Sequence, residues 1–386
     1  MLFIGERTHM KKLSVVLLLF CAAISLTVVG QAAHACSDIF INHPNAHVEA
    51  RSMDFGMNIS LNDTFGFIGQ KNTTDVVIDA EKIPAKSLVS WTNKYGYWGR
   101  NAFHTPKVDD AMNTEGLSLS GLYLDTYTQY PVYNPSDKRP VLGVLDMANF
   151  LISQAKNVDE AVALIKSCQI VQSAGEIKPG IFLKNTPLHF VLRDKTGKSA
   201  VVEFVGGKTL VYTDAGNVMT NSPTYPQQLD MVKKYDNLNV DKDNSLNGMP
   251  GGFDSPERFA RGHILTKFLP VPSSTQEALY QADFTISSCS VPYLGKPGSG
   301  YRSNTTWKVL KDLDHGIVYT KNIVYFQGGS KIVPIHVAND GYTIIDLNTI
   351  DFTKVPMEFA GDTIQPTPKN KVVKIIRANE IPEFGE

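Results

Sequence analysis

From Cys36 onward the chain carries the pattern of strands: Ser37-Asp38-Ile39-Phe40-Ile41, a turn at His43-Pro44-Asn45, then Val48-Glu49-Ala50-Arg51-Ser52-Met53. The period lengthens over residues 142–155 and 158–167. There Leu145, Ala148 and Ile152, then Ala161, Leu164 and Ile165, recur at helical spacing and predict a helix pair covering a sheet. A meander is predicted next, with strands over 188–193, 200–205 and 209–212. Its turns fall at Lys195-Thr196-Gly197-Lys198 and at Gly206-Gly207. A short strand over 217–221 leads to a helix over 227–235. Residues 236–254, rich in Asn, Asp and Gly, read as a loop. Helices are expected over 256–268 and 274–282, and strands over 306–312, 316–319, 323–326 and 342–346. Strands, helices, a meander, then helices and strands again predict an α+β fold in which two mainly antiparallel sheets are sandwiched between helix layers.

The segment before Cys36 has a different character. Lys11-Lys12 precede an apolar run over 13–29, and Ala33-His34-Ala35 supplies small residues at cleavage positions. This predicts a signal peptide over 1–35 cut after Ala35, with Met10 directly ahead of its charged region. A periplasmic or secreted protein follows, with one domain over 36–386. The run is also long enough to anchor a chain in a bilayer, but the Ala-x-Ala site favours its removal. No later segment is long and apolar enough to span a membrane, so no stable membrane association is expected of the mature chain.

A net charge of −1 without a Lys/Arg block argues against nucleic acid or anionic lipid as a main partner and points to a small molecule. Of four cysteines, Cys21 leaves with the signal. The remaining Cys36, Cys168 and Cys289 are an odd number for an exported chain, so at least one thiol is free. Cys168 and Cys289 are expected as buried thiols. Several chemistries can be set aside. Gly116-Leu117-Ser118-Leu119-Ser120 fails the nucleophile-elbow pattern at its last position. Gly197-Lys198-Ser199 and Gly207-Lys208-Thr209 lack the upstream glycine of a phosphate loop. His43 and His47 are separated by a helix-breaking Pro44, so neither a catalytic zinc nor any other cofactor is expected.

An N-terminal cysteine carries its own base, because a free α-amine titrates near neutrality, at about 7.7 to 8.0. It can accept the thiol proton, and the thiolate can attack an amide to give a thioester that water then hydrolyses. Around Cys36 this sequence sets Arg51-Ser52-Met53-Asp54, Met112-Asn113-x-x-Gly116-Leu117, Gly121-Leu122-Tyr123, Thr220-Asn221-Ser222-Pro223 and Arg258-Phe259-x-Arg261. In this order they resemble the choloylglycine hydrolase family, which includes bile salt hydrolases and penicillin V acylases, across essentially the whole mature chain.

That resemblance implies an N-terminal nucleophile hydrolase of αββα fold, acting without cofactor on a small N-acyl amide. Cys36 would attack, Asp54 hold the α-amine, and Arg51 and Arg258 flank the thiol. Asn221 would donate to the oxyanion, as would Tyr123 through its backbone N–H. Tyr at position 123 is similar to several penicillin V acylases, where bile salt hydrolases typically carry Asn. The signal peptide resembles the Gram-negative branch. A homo-oligomer, tetramer or dimer, is implied, although the 221–258 segment is shorter than the corresponding tetramer-building loop of Gram-positive members. Candidate substrates are conjugated bile salts, penicillin V and N-acyl homoserine lactones. Two alternatives stay open: a silent surface lipoprotein lipidated at Cys36, whose Ala35 suits that processing while Ala33 and His34 do not, and a hydrolase of lipid N-acyl amides. The aromatic cluster of Trp91, Tyr95, Tyr97 and Trp98 is expected in the core rather than in an acyl pocket.

Overall fold

The structure is a computed structural model that describes residues 35–55, 63–74, 83–101, 107–178, 181–183, 186–239, 246–292, 304–323, 341–354 and 374–376. The expected signal peptide lies outside the described residues except for Ala35. The chain opens with a hairpin of β1 (Ala35–His43) and β2 (Ala46–Phe55), in register from Ala35 opposite Asp54 to His43 opposite Ala46. β3 (Asp63–Gly66), β4 (Tyr97–Asn101), β5 (Val108–Asn113) and β6 (Leu117–Tyr123) follow. Helices α1 (Met147–Gln154) and α2 (Val158–Ser167) precede the meander of β7 (Leu188–Asp194), β8 (Ser199–Val205) and β9 (Lys208–Thr213). β10 (Val218–Thr220) leads into α3 (Tyr225–Val232), α4 (Ser255–Phe268) and α5 (Thr275–Cys289). β11 (Asn304–Asp312), β12 (Ile317–Asn322), β13 (Tyr342–Asp346) and β14 (Lys374–Ile376) complete the described strands of the two main sheets.

One sheet runs β10-β1-β2-β11-β12-β13-β14 and the other β9-β8-β7-β6-β5-β4-β3. All neighbours within both are antiparallel. Helices α4 and α5 lie on the first sheet, α1 and α2 on the second, and β1 faces β6 across the middle. The layers are helix, sheet, sheet, helix, as the sequence predicts.

Central position in such a stack buries a strand on both faces. Ile39, Phe40, Ile41, Val48 and Ala50 are all buried, which accounts for the apolar character of β1 and β2. Ser37, Asp38, Glu49, Arg51, Ser52 and Asp54 of these strands are buried too, and several meet partners across the sheet interface. Arg193 of β7 donates to Asp38 of β1 at 2.8 Å, and Ser120 of β6 donates to Glu49 of β2 at 3.0 Å. Lys311 of β11 donates to Asp110 of β5 and, at 3.2 Å, to Ser120, and lies 3.3 Å from Glu49. Burial pushes the Glu49 carboxyl up to about 7 against the pull of Lys311. Buried charges are tolerated only when paired; Lys311 and Glu49 pair within one sheet, while Arg193–Asp38 and Lys311–Asp110 pair sheet to sheet.

Helix α4 is started by Asp254, whose carboxylate accepts from the Glu257 N–H at 2.8 Å, with Pro256 in the first turn. Its Gly262 lets the helix lie close on the sheet, since a Cβ there would stand 2.7 Å from Ile39 Cδ1. Trp91, Tyr97 and Trp98 are buried in the apolar clusters, while Tyr95 is half-buried.

Local departures from the sequence pattern have physical causes. The helix expected over 142–155 begins only at Met147. Val141–Gly143 pairs in parallel with Gln169–Val171 instead, and a 3-10 turn at Val144–Asp146 leads from that strand into α1. Helix α5 continues beyond residue 282 because Thr285, Ile286 and Cys289 are buried against the sheet. Of the strand expected over 323–326, Ile323 falls just past the end of β12 and the rest lies outside the described residues. Among the described residues no helix is long and apolar enough to cross a membrane.

Candidate active site

Cys36 sits in the first register positions of β1, opposite Met53 of β2, and is 1% exposed. Its Sγ lies 3.6 Å from the Met53 thioether. Burial pushes the thiol up; Arg51 is the foremost opposing influence, and the Asp54 backbone N–H and Arg258 also favour the thiolate. The resting group is therefore a neutral thiol that needs a base. Ala35 still precedes Cys36 here, so the Cys36 nitrogen is a peptide N–H, and it donates to Oδ1 of Asn221.

Asn221 follows β10, the strand beside β1, and this adjacency brings together two residues far apart in sequence. Its Nδ2 donates to the Tyr123 carbonyl at 3.0 Å, and Gln228 of α3 donates to its own carbonyl. The expected oxyanion donor thus bridges Cys36 and the end of β6. An amide nitrogen has two donors, and Tyr123 takes one. The Tyr123 ring is half-buried against Phe55, with centroids 5.8 Å apart.

Arg258 comes from the first turn of α4 and is fully buried. It donates from Nη1 to the Cys36 carbonyl at 2.5 Å and to Ser37 Oγ at 2.6 Å, and from Nη2 to Asn221 Oδ1 at 3.0 Å. Its Nε is held by the Phe253 carbonyl at 3.0 Å. Nη1 stands 3.9 Å from Asp54 Oδ2. Asp54, opposite Ala35 in the ladder, is completely buried, and burial pushes its carboxyl up to about 7, with Arg258 the leading opposing influence and Thr305 the next. Thr305 donates to Oδ1 and Ser52 donates to Oδ2 at 3.4 Å.

Arg51 and Asp54 are not a surface ion pair. Arg51 is buried and turned across the interface, where it donates to the Gly121 carbonyl and lies 3.8 Å from Asp109 and 4.0 Å from Asp110. Its guanidinium also covers the Trp307 ring at 4.9 Å. Cys36, Asp54, Tyr123, Asn221 and Arg258 are therefore linked by hydrogen bonds and one ion pair, and Arg51 acts on Cys36 through its charge. Two other motifs are scaffolding. Asn113 accepts from the Glu115 and Leu117 N–H groups and donates to the Ile152 and Ala155 carbonyls, closing the β5–β6 turn on α1. Gly116 there has φ +81°, and a Cβ would meet the Leu313 carbonyl at 2.4 Å. Arg261 is buried and donates to the Ser288, Pro250 and Gly252 carbonyls.

Sequence reasoning missed Ser37, Ser52, Thr305, Asp109 and Asp110. The last two carried a signal, an acidic pair just ahead of the Met112-Asn113 motif; single hydroxyls carry none. Cys168 and Cys289 are buried and free, as expected.

Residues 36–325 match the model of the linear amide C–N hydrolases, choloylglycine hydrolase family. The chain belongs to that family. It is a hydrolase of carbon–nitrogen bonds in linear amides, from a family that acts on small N-acyl amides. It is 26% identical over 329 residues to a penicillin V acylase of Pectobacterium atrosepticum, covering 78% of this chain and 80% of the relative. It is 29% identical over 233 residues to a bile salt hydrolase/transferase of Clostridium perfringens, covering 56% of this chain and 66% of the relative. The penicillin V acylase of Agrobacterium tumefaciens shares the fold, with TM-score 0.64 at 24% identity over 83% of this chain and 88% of that one. A mutant conjugated bile acid hydrolase from Clostridium perfringens does so with TM-score 0.66 at 20% identity, covering 91% and 99%.

Proposed function

We propose that this hydrolase is exported, loses residues 1–35, and acts in the periplasm or outside the cell with Cys36 as an N-terminal nucleophile. The observation that carries the reading is the convergence of Asn221 and Arg258 on the backbone of one buried cysteine, with Asn221 held in turn by the Tyr123 carbonyl. Cleavage after Ala35 turns the Cys36 nitrogen into an amine beside Asp54. That amine takes the Sγ proton, and the thiolate forms a bond to the amide carbonyl carbon. The oxyanion is met by Asn221 Nδ2 and the Tyr123 backbone N–H. The ammonium then gives its proton to the leaving nitrogen as the C–N bond breaks, leaving a Cys36 thioester. Water, deprotonated by the same amine, releases the acid and restores the thiol.

The substrate joins an apolar acyl group to a small polar amine through an amide outside any ring. The similarity to a penicillin V acylase and Tyr at position 123 favour acylase-type substrates over bile salts. The test pairs the N-terminal residue of the exported protein with amine release from penicillin V, glycocholate and an N-acyl homoserine lactone. A free Cys36 and turnover of one compound are expected. A form retaining Ala35 should be inactive, and activity in that form, or a diacylglyceryl mass on Cys36, would overturn the reading.

A further inference from the structure

The residue opposite Asp54 on the far side of β2 stands where the ladder is irregular. β11 pairs Thr305 with Asp54 and Trp307 with Met53, so Thr306 is an extra residue inserted between two ordinary pairs. A bulge of this kind turns a side chain away from the direction that regular alternation dictates. Here the two threonine hydroxyls diverge: Thr306 donates to the Met53 carbonyl at 3.0 Å, while Thr305 donates to Asp54 Oδ1.

Thr305 is 2% exposed and its hydroxyl is used on both sides. Oγ1 accepts from the Val291 N–H at 2.8 Å, just past the end of α5, and the Thr305 N–H returns a bond to the Val291 carbonyl at 2.9 Å. With its acceptor side occupied, the hydroxyl has its single proton left for Asp54. The other neighbours of this carboxylate stand farther off, Ser52 at 3.4 Å and the Arg258 nitrogen at 3.9 Å. An acceptor-only carboxylate in a buried site is held ionised and in one rotamer by such a donor.

We propose that Thr305 is a positioning residue for the reaction: through the bulge in β11 it fixes Asp54 in the ionised, oriented form that receives the α-amine of Cys36. The role of Asp54 toward that amine rests on the function proposed above; the Thr305–Asp54 coupling does not. Loss of the hydroxyl removes a donor to a charged group and raises the titration midpoint of Asp54 by about one pH unit.

The experiment is a carbon-13 titration of the Asp54 carboxyl in the mature protein, assigned by its loss in Asp54→Asn. It is run on wild type, Thr305→Val, Thr305→Ala, Thr305→Ser and Thr306→Val, with kcat and KM against pH for whichever of penicillin V, glycocholate and acyl homoserine lactone the wild type turns over fastest. The midpoint is expected to rise in the Val and Ala variants and to stay at the wild-type value in Ser and in Thr306→Val. The acid limb of kcat should move with it while KM holds. Thr305→Ala supplies the same comparison where Val fails to fold. A midpoint unchanged in folded Val or Ala overturns the proposal. Full activity in Asp54→Asn with a shifted midpoint would instead remove the role of Asp54 and leave the coupling standing.

Discussion

Replacing Asp54 by Asn should abolish activity and stabilise the fold, increasingly so as pH rises. An aspartate ordinarily titrates at 3.8, and in this site burial pushes it to about 7. Between those values the folded chain keeps a proton at Asp54 that the unfolded chain has released, so its contribution to stability is fullest below pH 3.8 and is lost as pH climbs through about 7. A shift of roughly three units corresponds to about 4 kcal/mol at most. The asparagine side chain has no such proton. The stability gap between variant and wild type should therefore widen by about 2 to 3 kcal/mol from about pH 5 to about pH 8. Thermal midpoints would separate by on the order of 5 °C more at the higher pH. The assay is parallel thermal unfolding of both proteins at stepped pH, in the form that retains Ala35, so that Glu49 and the other buried groups cancel in the difference. In the form beginning at Cys36 the new ammonium beside Asp54 shrinks the gap. A gap that stays flat or narrows with rising pH would refute the desolvation argument.

Cys36→Ser should lower kcat by on the order of a thousandfold with an unchanged thermal midpoint, because the hydroxyl is close in size to the thiol that sits beside the Met53 thioether but is a far weaker nucleophile. Lys311→Met should destabilise by about 3 to 5 kcal/mol in urea unfolding, since it leaves Asp110 and Glu49 buried without their shared cation. Gly262→Ala should cost about 1 to 3 kcal/mol despite its better helix propensity, because the added methyl meets Ile39 and Val218. A rise in thermal midpoint for that variant would contradict the close seating of α4.

The two-sheet, two-helix-layer plan was legible because its long segments repeat cleanly: α2 starts and stops at the predicted residues, and the meander β7–β9 lies within a residue or two of its expected bounds. The short strand at Val141–Gly143 was not, since its partner, Gln169–Val171, is distant in sequence and only tertiary pairing distinguishes such a stretch from a helix start. The site was legible as a set of motifs: those carrying Asp54, Tyr123, Asn221 and Arg258 meet around Cys36, while Asn113 and Arg261 hold the scaffold. What the motifs could not convey is direction. Arg51 points across to Asp109 and Asp110 rather than to its neighbour Asp54, and Asn221 spans Cys36 and Tyr123. Thr305 was invisible because a bulge, which depends on how two strands align, decides where its hydroxyl goes.

The ionic contacts between the sheets bear on how this scaffold can be altered. Two purely greasy sheets can slide over one another at small cost, because methyl groups accept many neighbours equally well. Here a slip of one residue would part Ser120 from Glu49, Lys311 from Asp110 and Arg193 from Asp38, stranding several charges at once. The same alignment brings the Gly121 carbonyl to Arg51. Groups that take no part in chemistry thus act as a key that admits one docking of the two halves. Anyone grafting this reaction centre onto another sandwich would need to carry the key along with it.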